Sequence, residues 1–330
     1  MTLADAISGE RNANLGVLRL GLAACVIVSH AWPLALGLGA AEPLMTLTGQ
    51  SLGGWAVALF FFLSGLLVTA SAERRTPVSF LGARARRILP GLGAALIATL
   101  ALAYLSGATP SRSEALGWFL RAATLASIEH RISGAFAGNP YPEVVNGPLW
   151  SLFYEVAAYL ICLFFVQFGL HRRKSVLFLL MLVPVGLSLI DTVLPYRLGT
   201  FAPLFACFAA GMAASVFRNR IVLRPFLAGV LLPLVFIAPW PIGVLVVAYA
   251  MLALSLTAPT LRLPGDYSYG FYIYGWPVAQ TVAYLGPGIS PAELAALSLV
   301  ATTPAAIASW HFVERPSLLQ TRALGCLLYT

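Results

Sequence analysis

Arg19 and His30 stand eleven residues apart in one apolar run. Eleven residues are close to three helical turns, so the two side chains leave the same helix face about 16 Å apart along the axis. An imidazole is suited to general-base work, and an ionisable group inside hydrocarbon is a functional candidate by default. Arg19 has a plainer use as well, snorkelling to headgroups. Glu155 closes the run Asn146-Gly-Pro-Leu-Trp-Ser-Leu-Phe-Tyr-Glu155. Ser151 and Glu155 are four apart and share a face, and Pro148 suits a first helical turn. Measured from the outer ends of their segments, His30 and Glu155 both lie about 10 Å deep. The carboxylate is therefore expected to meet and orient the imidazole, which makes His30 and Glu155 the catalytic candidates.

Arg84-Ala-Arg-Arg87 precedes Ile88-Leu-Pro90. Arg84 and Arg87 share a face if the helix has begun, and paired guanidiniums suit phosphate oxygens. Further on, Tyr269, Tyr272 and Trp276 follow three- and four-residue steps, a stripe with polar tips that runs too deep for an aromatic belt alone. Trp150, Ser151, Ser268, Tyr269 and Tyr272 are the candidates for substrate contact, with Tyr269 or Ser151 as oxyanion donor. Glu314, in His311-Phe-Val-Glu-Arg-Pro316, is expected to form a structural ion pair with a nearby arginine.

The elements that must position these residues follow from composition. Of 330 residues only 10% are charged and 59% are apolar, against about 25% and roughly 45–50% in soluble domains. Such a surface must face lipid, which excludes soluble, disordered and disulfide-scaffold folds. A membrane-crossing helix needs about 20 apolar residues. Ten candidates lie at roughly 15–37, 53–72, 88–106, 147–168, 176–194, 200–217, 225–239, 241–257, 267–285 and 292–313. The expectation is an all-α polytopic membrane protein, one domain over 1–330, with a tight hairpin at Pro239-Trp-Pro241 or, failing that, nine crossings. The stretch 113–126 reads as an interfacial or re-entrant helix rather than a crossing, and the long loop 107–146 as a lid or binding element. With both termini in the cytoplasm, fifteen of the twenty basic residues fall inside and four outside, which follows the positive-inside rule. The net charge of +8 is thus an inner-face anchor beside anionic lipid rather than a nucleic-acid signal. Cys25, Cys162, Cys207 and Cys326 are scattered and read as small core residues, and no metal cluster, P-loop or dinucleotide fingerprint is present in the sequence. The first apolar run lacks a cleavage site and is not a signal peptide.

Taken together these segments resemble the acyltransferase-3 family of integral membrane acyltransferases. The matching pieces are Arg19 with ten residues before His30, Phe60-Phe-Phe-Leu-Ser-Gly65, Ser79-Phe through Arg84-Ala-Arg-Arg87-Ile-Leu-Pro90, Pro148-Leu-Trp-Ser-Leu-Phe-Tyr-Glu155, Ser268-Tyr-Gly-Phe-Tyr-Ile-Tyr, and Phe312-Val-Glu-Arg-Pro316. Each is weak alone, but six in order over about residues 11–317 are specific. The resemblance implies transfer of an acyl group, most often acetyl from acetyl-CoA, to a hydroxyl of an extracytoplasmic carbohydrate such as O-antigen or exopolysaccharide, in the bacterial inner membrane. It makes His30 the catalytic histidine and sets Arg19, Arg84 and Arg87 at the acyl-CoA end, without a metal. Direct transfer and an acyl-histidine intermediate both fit. Two departures stand out: many relatives carry histidine where this chain has Gly275, and the chain stops at Thr330 without an appended periplasmic domain. The rival reading is a transporter or glycan flippase. Against it, Arg19…His30 has no counterpart in the second half, where an inverted repeat would place one.

Overall fold

A computed structural model describes residues 1–125, 130–188, 195–236 and 240–319. Among them the elements are helical, without a β-strand. They are α1 (Leu3–Ser8), α2 (Asn14–Leu36), α3 (Pro43–Thr48), α4 (Leu52–Ala72), α5 (Pro77–Leu105), α6 (Arg112–Ala123), α7 (Trp150–Gln167), α8 (Lys174–Ser188), α9 (Tyr196–Val216), α10 (Pro225–Leu231), α11 (Trp240–Thr257), α12 (Ser268–Leu285) and α13 (Pro291–Ser309). The last continues through a π-helical turn, Trp310–Glu314. Six segments are long and apolar enough to cross a membrane: Glu10–Leu36, Leu52–Ala72, Pro77–Leu105, Gly147–Gln167, Tyr196–Val216 and Pro291–Leu319.

These six coincide with six of the ten expected spans. The other four are helices of a different kind. The apolar helices Lys174–Leu187, Pro225–Phe236 and Ile242–Thr257 are shorter. Residues 189–194 of one expected span and Pro239 of the expected hairpin lie outside the described residues. Helix α12 has span length, but its glycines, tyrosines and Gln280 dilute its apolar character. The third segment begins at Pro77 rather than near 88. Thr76 caps it through its side chain and Pro77 stands in the first turn, a combination that pre-sets helical geometry. Arg84 and Arg87 therefore sit on a formed helix. The stretch 113–126, expected to be a short interfacial or re-entrant helix, is helical over Arg112–Ala123 as α6, opened by a Ser111–Glu114 capping box, and residue 126 lies outside the described residues.

Helix α2 is flanked by α4 on one side and by α12 and α13 on the other, while α7 packs on α4. The most extensive contact is α4 against α9. There Gly65 and Gly211 face one another. A Cβ added at Gly65 would strike the Phe208 carbonyl, and one at Gly211 would strike the Phe62 carbonyl. Small residues let helix backbones approach when lipid offers no hydrophobic drive for association. At one end of α4 the carboxylate of Glu73 gathers His171 Nε2 at 3.0 Å, Arg172 at 3.6 Å and Arg218 at 3.8 Å. That cluster ties α4 to the turn after α7 and to the end of α9. Cys162 and Cys207 are buried and Cys25 half-buried, all three free; Cys326 lies outside the described residues.

Residues 130–146 fold back on α12. Asn139 Nδ2 donates to Gln280 Oε1 at 2.7 Å, Gln280 Nε2 donates to the Tyr141 and Val144 carbonyls, and Trp276 Nε1 donates to Val144 at 2.8 Å. The expected lid is thus pinned along the helix that carries the aromatic stripe. Because the Gly65–Gly211 contact is made by backbone atoms, Gly65→Ala and Gly211→Ala should each destabilise the bundle by about 1–3 kcal/mol, the usual cost of overpacking. Thermal denaturation in detergent reads this out, and an unchanged melting temperature in both variants would show that the two helices have room to spare.

Candidate active site

Two cavities lie along α2, one toward each end. The first, of ≈ 870 Å³, is walled by Arg19 of α2, Ser64 of α4, Arg84 and Arg87 of α5, Glu155 and Tyr159 of α7, and Tyr269 of α12. The second, of ≈ 730 Å³, holds Ser29, His30, Glu42, Ser51 and Trp150. Val57 and Tyr272 line both and form the wall between them.

The basic cavity is organised by Asp266, which immediately precedes α12. Its Oδ2 receives Arg19 Nη2 at 3.0 Å and Arg87 Nη2 at 2.8 Å, and its Oδ1 accepts from Ser268 at 2.7 Å. Burial works against this carboxylate, yet the Arg87 and Arg19 guanidiniums and Ser268 outweigh it and hold the pKa below the ordinary aspartate value. Arg87 also reaches Glu314 at 3.2 Å. Glu314 is only 1% exposed and takes a second bond from Ser309. The π-turn turns Glu314 inward and leaves His311 and Phe312 outside. The expected pairing of Glu314 with an arginine is present, and its partner is Arg87.

Arg84 is different. It has no carboxylate among the described residues. Its guanidinium lies 5.9 Å from the Phe80 and Tyr159 rings, and its Nε is buried without a hydrogen-bond partner. The cavity therefore presents one uncommitted cation beside two neutralised ones.

Glu155 lies in this cavity too. Its Oε1 accepts from Ser64 Oγ at 3.0 Å and from Tyr159 OH. It does not meet His30, which lines the other cavity. The two residues are not at equal depth: Glu155 lines the cavity at the Arg19 end of α2, while Trp150, at the start of α7, lines the one that holds His30. The i, i+4 spacing of Glu155 and Tyr159 was a readable sign of the observed bond. Tyr269 is likewise remote from the histidine. Its hydroxyl donates to the Ile88 carbonyl at 2.8 Å, and its ring lies 5.6 Å from the Arg87 guanidinium.

His30 has no hydrogen-bond partner among the described residues. Its ring meets Trp276 edge to face at 4.8 Å, and Trp276 is fixed by its bond to Val144. Trp276 thus orients the imidazole, a role hidden in the sequence stripe. Ser151 Oγ lies 2.6 Å from Tyr272 OH, which donates to the Pro148 carbonyl at 2.9 Å. This pair fixes the dividing wall. At Gly275 a Cβ would come within 2.6 Å of Ile27 Cγ1, so any side chain at this position would have to displace that of Ile27 on α2. No group of three or more His, Cys, Asp or Glu able to hold a metal occurs among the described residues.

Comparison with known proteins shows what the chain is similar to. The family model described as an acyltransferase domain matches residues 12–311. An O-acetyl transferase of Shigella phage Sf6 is 30% identical over 92% of this chain and 95% of its own length. Nodulation protein 10 of Rhizobium leguminosarum bv. viciae is 28% identical, covering 94% of each chain. The exopolysaccharide production protein ExoZ of Rhizobium meliloti is 28% identical over 83% of this chain and 92% of its own. No solved structure matches.

Asp266 binds two guanidiniums in a site about one-fifth exposed. Asp266→Ala should cost more than an exposed pair and less than a fully buried one, roughly 1–3 kcal/mol. Asp266→Asn should recover part of that loss by keeping the Ser268 bond. Chemical denaturation of the three proteins measures it. Equal stability of all three would mean that Arg19 and Arg87 find other partners.

Proposed function

The chain belongs to the acyltransferase-3 family, and we propose that it moves an acetyl group from cytoplasmic acetyl-CoA to a hydroxyl of an extracytoplasmic carbohydrate. The observation that carries this reading is the pair of cavities with one shared wall. One cavity offers a free guanidinium, Arg84, and the other offers an unbonded imidazole, His30. A soluble donor and a glycan acceptor on opposite faces of a bilayer require that division. The names of the relatives, O-acetyl transferase and exopolysaccharide production protein, support acetyl as the group and a glycan as its destination.

In this reading both termini are cytoplasmic and the Arg19 end of α2 faces the cytoplasm. The donor phosphates are held at Arg84, which suits oxygen anions as a planar fork. Arg87 and Arg19, already paired with Asp266, shape the cavity and supply positive field. The pantetheine arm runs toward Val57 and Tyr272. The Arg19-to-His30 separation, about 16 Å by helix rise, is comparable to its extended length. His30 takes the proton of the acceptor hydroxyl. The acceptor oxygen forms a new bond to the thioester carbonyl carbon, the carbon–sulfur bond breaks, and the thiolate leaves with the proton that His30 carries. Glu155, bound to Ser64 and Tyr159, is a fixed anion on the donor side and does not serve as the partner of His30. Ser151 and Tyr272 stand at the wall where the carbonyl must pass, but like Tyr269 they spend their hydroxyl protons within the chain, so each would have to give up its present bond to serve as an oxyanion donor.

His30→Ala should lower acetyl transfer by about 10²–10⁴-fold, the range for loss of a positioned general base, with folded protein still in the membrane. Transfer at the wild-type rate would remove His30 from the mechanism. Arg84→Ala should raise the KM for acetyl-CoA about tenfold, the order of one lost charge-assisted bond, with little change in melting temperature. Arg87→Ala should instead destabilise the fold, because Asp266 and Glu314 lose a partner. The reverse pattern would assign the donor phosphates to Arg87.

A further inference from the structure

Glu42 lies between α2 and α4, close to His30 in space and outside both helices. Three observations set it apart. It is 5% exposed, in a chain where acidic residues are scarce. It lines the same cavity as His30 and Trp150. Burial pushes its carboxyl above the ordinary range, and a hydrogen bond from Ser29, the residue before His30, works the other way.

A structural duty explains part of this. Glu42 Oε1 accepts from the Leu52 backbone N–H, the first amide of α4. Ser51 already caps that helix by accepting from Gly54 N at 2.9 Å. An ionised carboxylate has about four lone-pair sites, so these bonds leave acceptor capacity facing the cavity. The other polar groups around it are committed. Ser51 is a cap, and Tyr272 is bonded to Ser151 and Pro148. What remains open to an entering molecule is the imidazole of His30 and the carboxylate of Glu42, with the Trp150 ring beside them. An anionic acceptor next to an aromatic face is the chemistry that recognises a polyhydroxylated ring. Hydroxyls donate to the carboxylate while the C–H face lies on the indole.

We propose that Glu42 is an acceptor-binding residue, which accepts hydrogen bonds from carbohydrate hydroxyls adjacent to the one acylated and so presents that hydroxyl to His30. The inference rests on the acyl-transfer reading and adds to it the residue that selects a vicinal, uncharged diol.

Glu42→Gln tests it, because the amide oxygen keeps the Leu52 cap while the anion is lost. The full-length protein in detergent is given labelled acetyl-CoA and a panel of methyl glycosides of glucose, galactose, rhamnose and N-acetylglucosamine. With the best of these as acceptor, Glu42→Gln should raise the acceptor KM about tenfold, one charge-assisted bond at ~1.4 kcal/mol per decade. The KM for acetyl-CoA and the melting temperature should stay as in the wild type. An unchanged acceptor KM overturns the inference alone. So does a fall in melting temperature with both KM values rising together, since Glu42 is then only a cap. If the wild type acylates none of the glycosides, the acyl-transfer reading falls and takes this inference with it.

Discussion

A single carboxylate, Asp266, decides how the positive charge of this bundle is distributed. It draws Arg19 from α2 and Arg87 from α5 onto one oxygen, and Arg87 carries the link on to Glu314 beyond α13. Charges this close to hydrocarbon are costly unless paired. Pairing satisfies that constraint and also joins four segments distant in sequence. Whatever cation is left over is then available for a ligand. Arg84, next to Arg87 on α5, is that remainder, and its aromatic neighbours Phe80 and Tyr159 hold it without neutralising it.

The same economy shapes the other cavity. Among the described residues His30 has no hydrogen-bond partner, and it is steadied by the Trp276 ring, which is itself fixed by a loop carbonyl. The loop is held on α12 by Asn139 and Gln280. Orientation of the imidazole thus passes through packing rather than through a carboxylate. Val57 and the Ser151–Tyr272 pair then keep the two cavities distinct at rest.

Much of this was legible in the chain. The apolar spacing gave the six long helices, to within a few residues except at the start of α5, because length and hydropathy are local properties. The order of the six motifs gave the family. Other features were not local. The His30–Glu155 contact was expected from equal depth, but it is Trp150 at the start of α7 that reaches the His30 cavity, while Glu155 lies at the Arg19 end; span ends read from hydropathy do not fix depth to within a helical turn. Asp266 finds its partners 179 and 247 residues away, a pairing that no local pattern carries. Glu42 likewise owes its place to a cavity built from distant segments. The start of α5 is readable from Thr76-Pro77, which open the helix well before its apolar run begins.

The π-turn at Trp310–Glu314 carries a consequence for insertions and deletions. A π-turn holds one residue more than the α-helical turn it replaces. An α-helix advances about 100° per residue. The extra residue is absorbed within the π-turn, so losing one between Trp310 and Val313 would restore a plain helix and leave Glu314 facing Arg87. One further residue there, with no second turn to absorb it, would swing every side chain beyond it by that angle and take Glu314 away from Arg87. The reading frame of this last helix is therefore a structural coordinate: a one-residue insertion there alters the electrostatics of the cavity without changing a single charged amino acid.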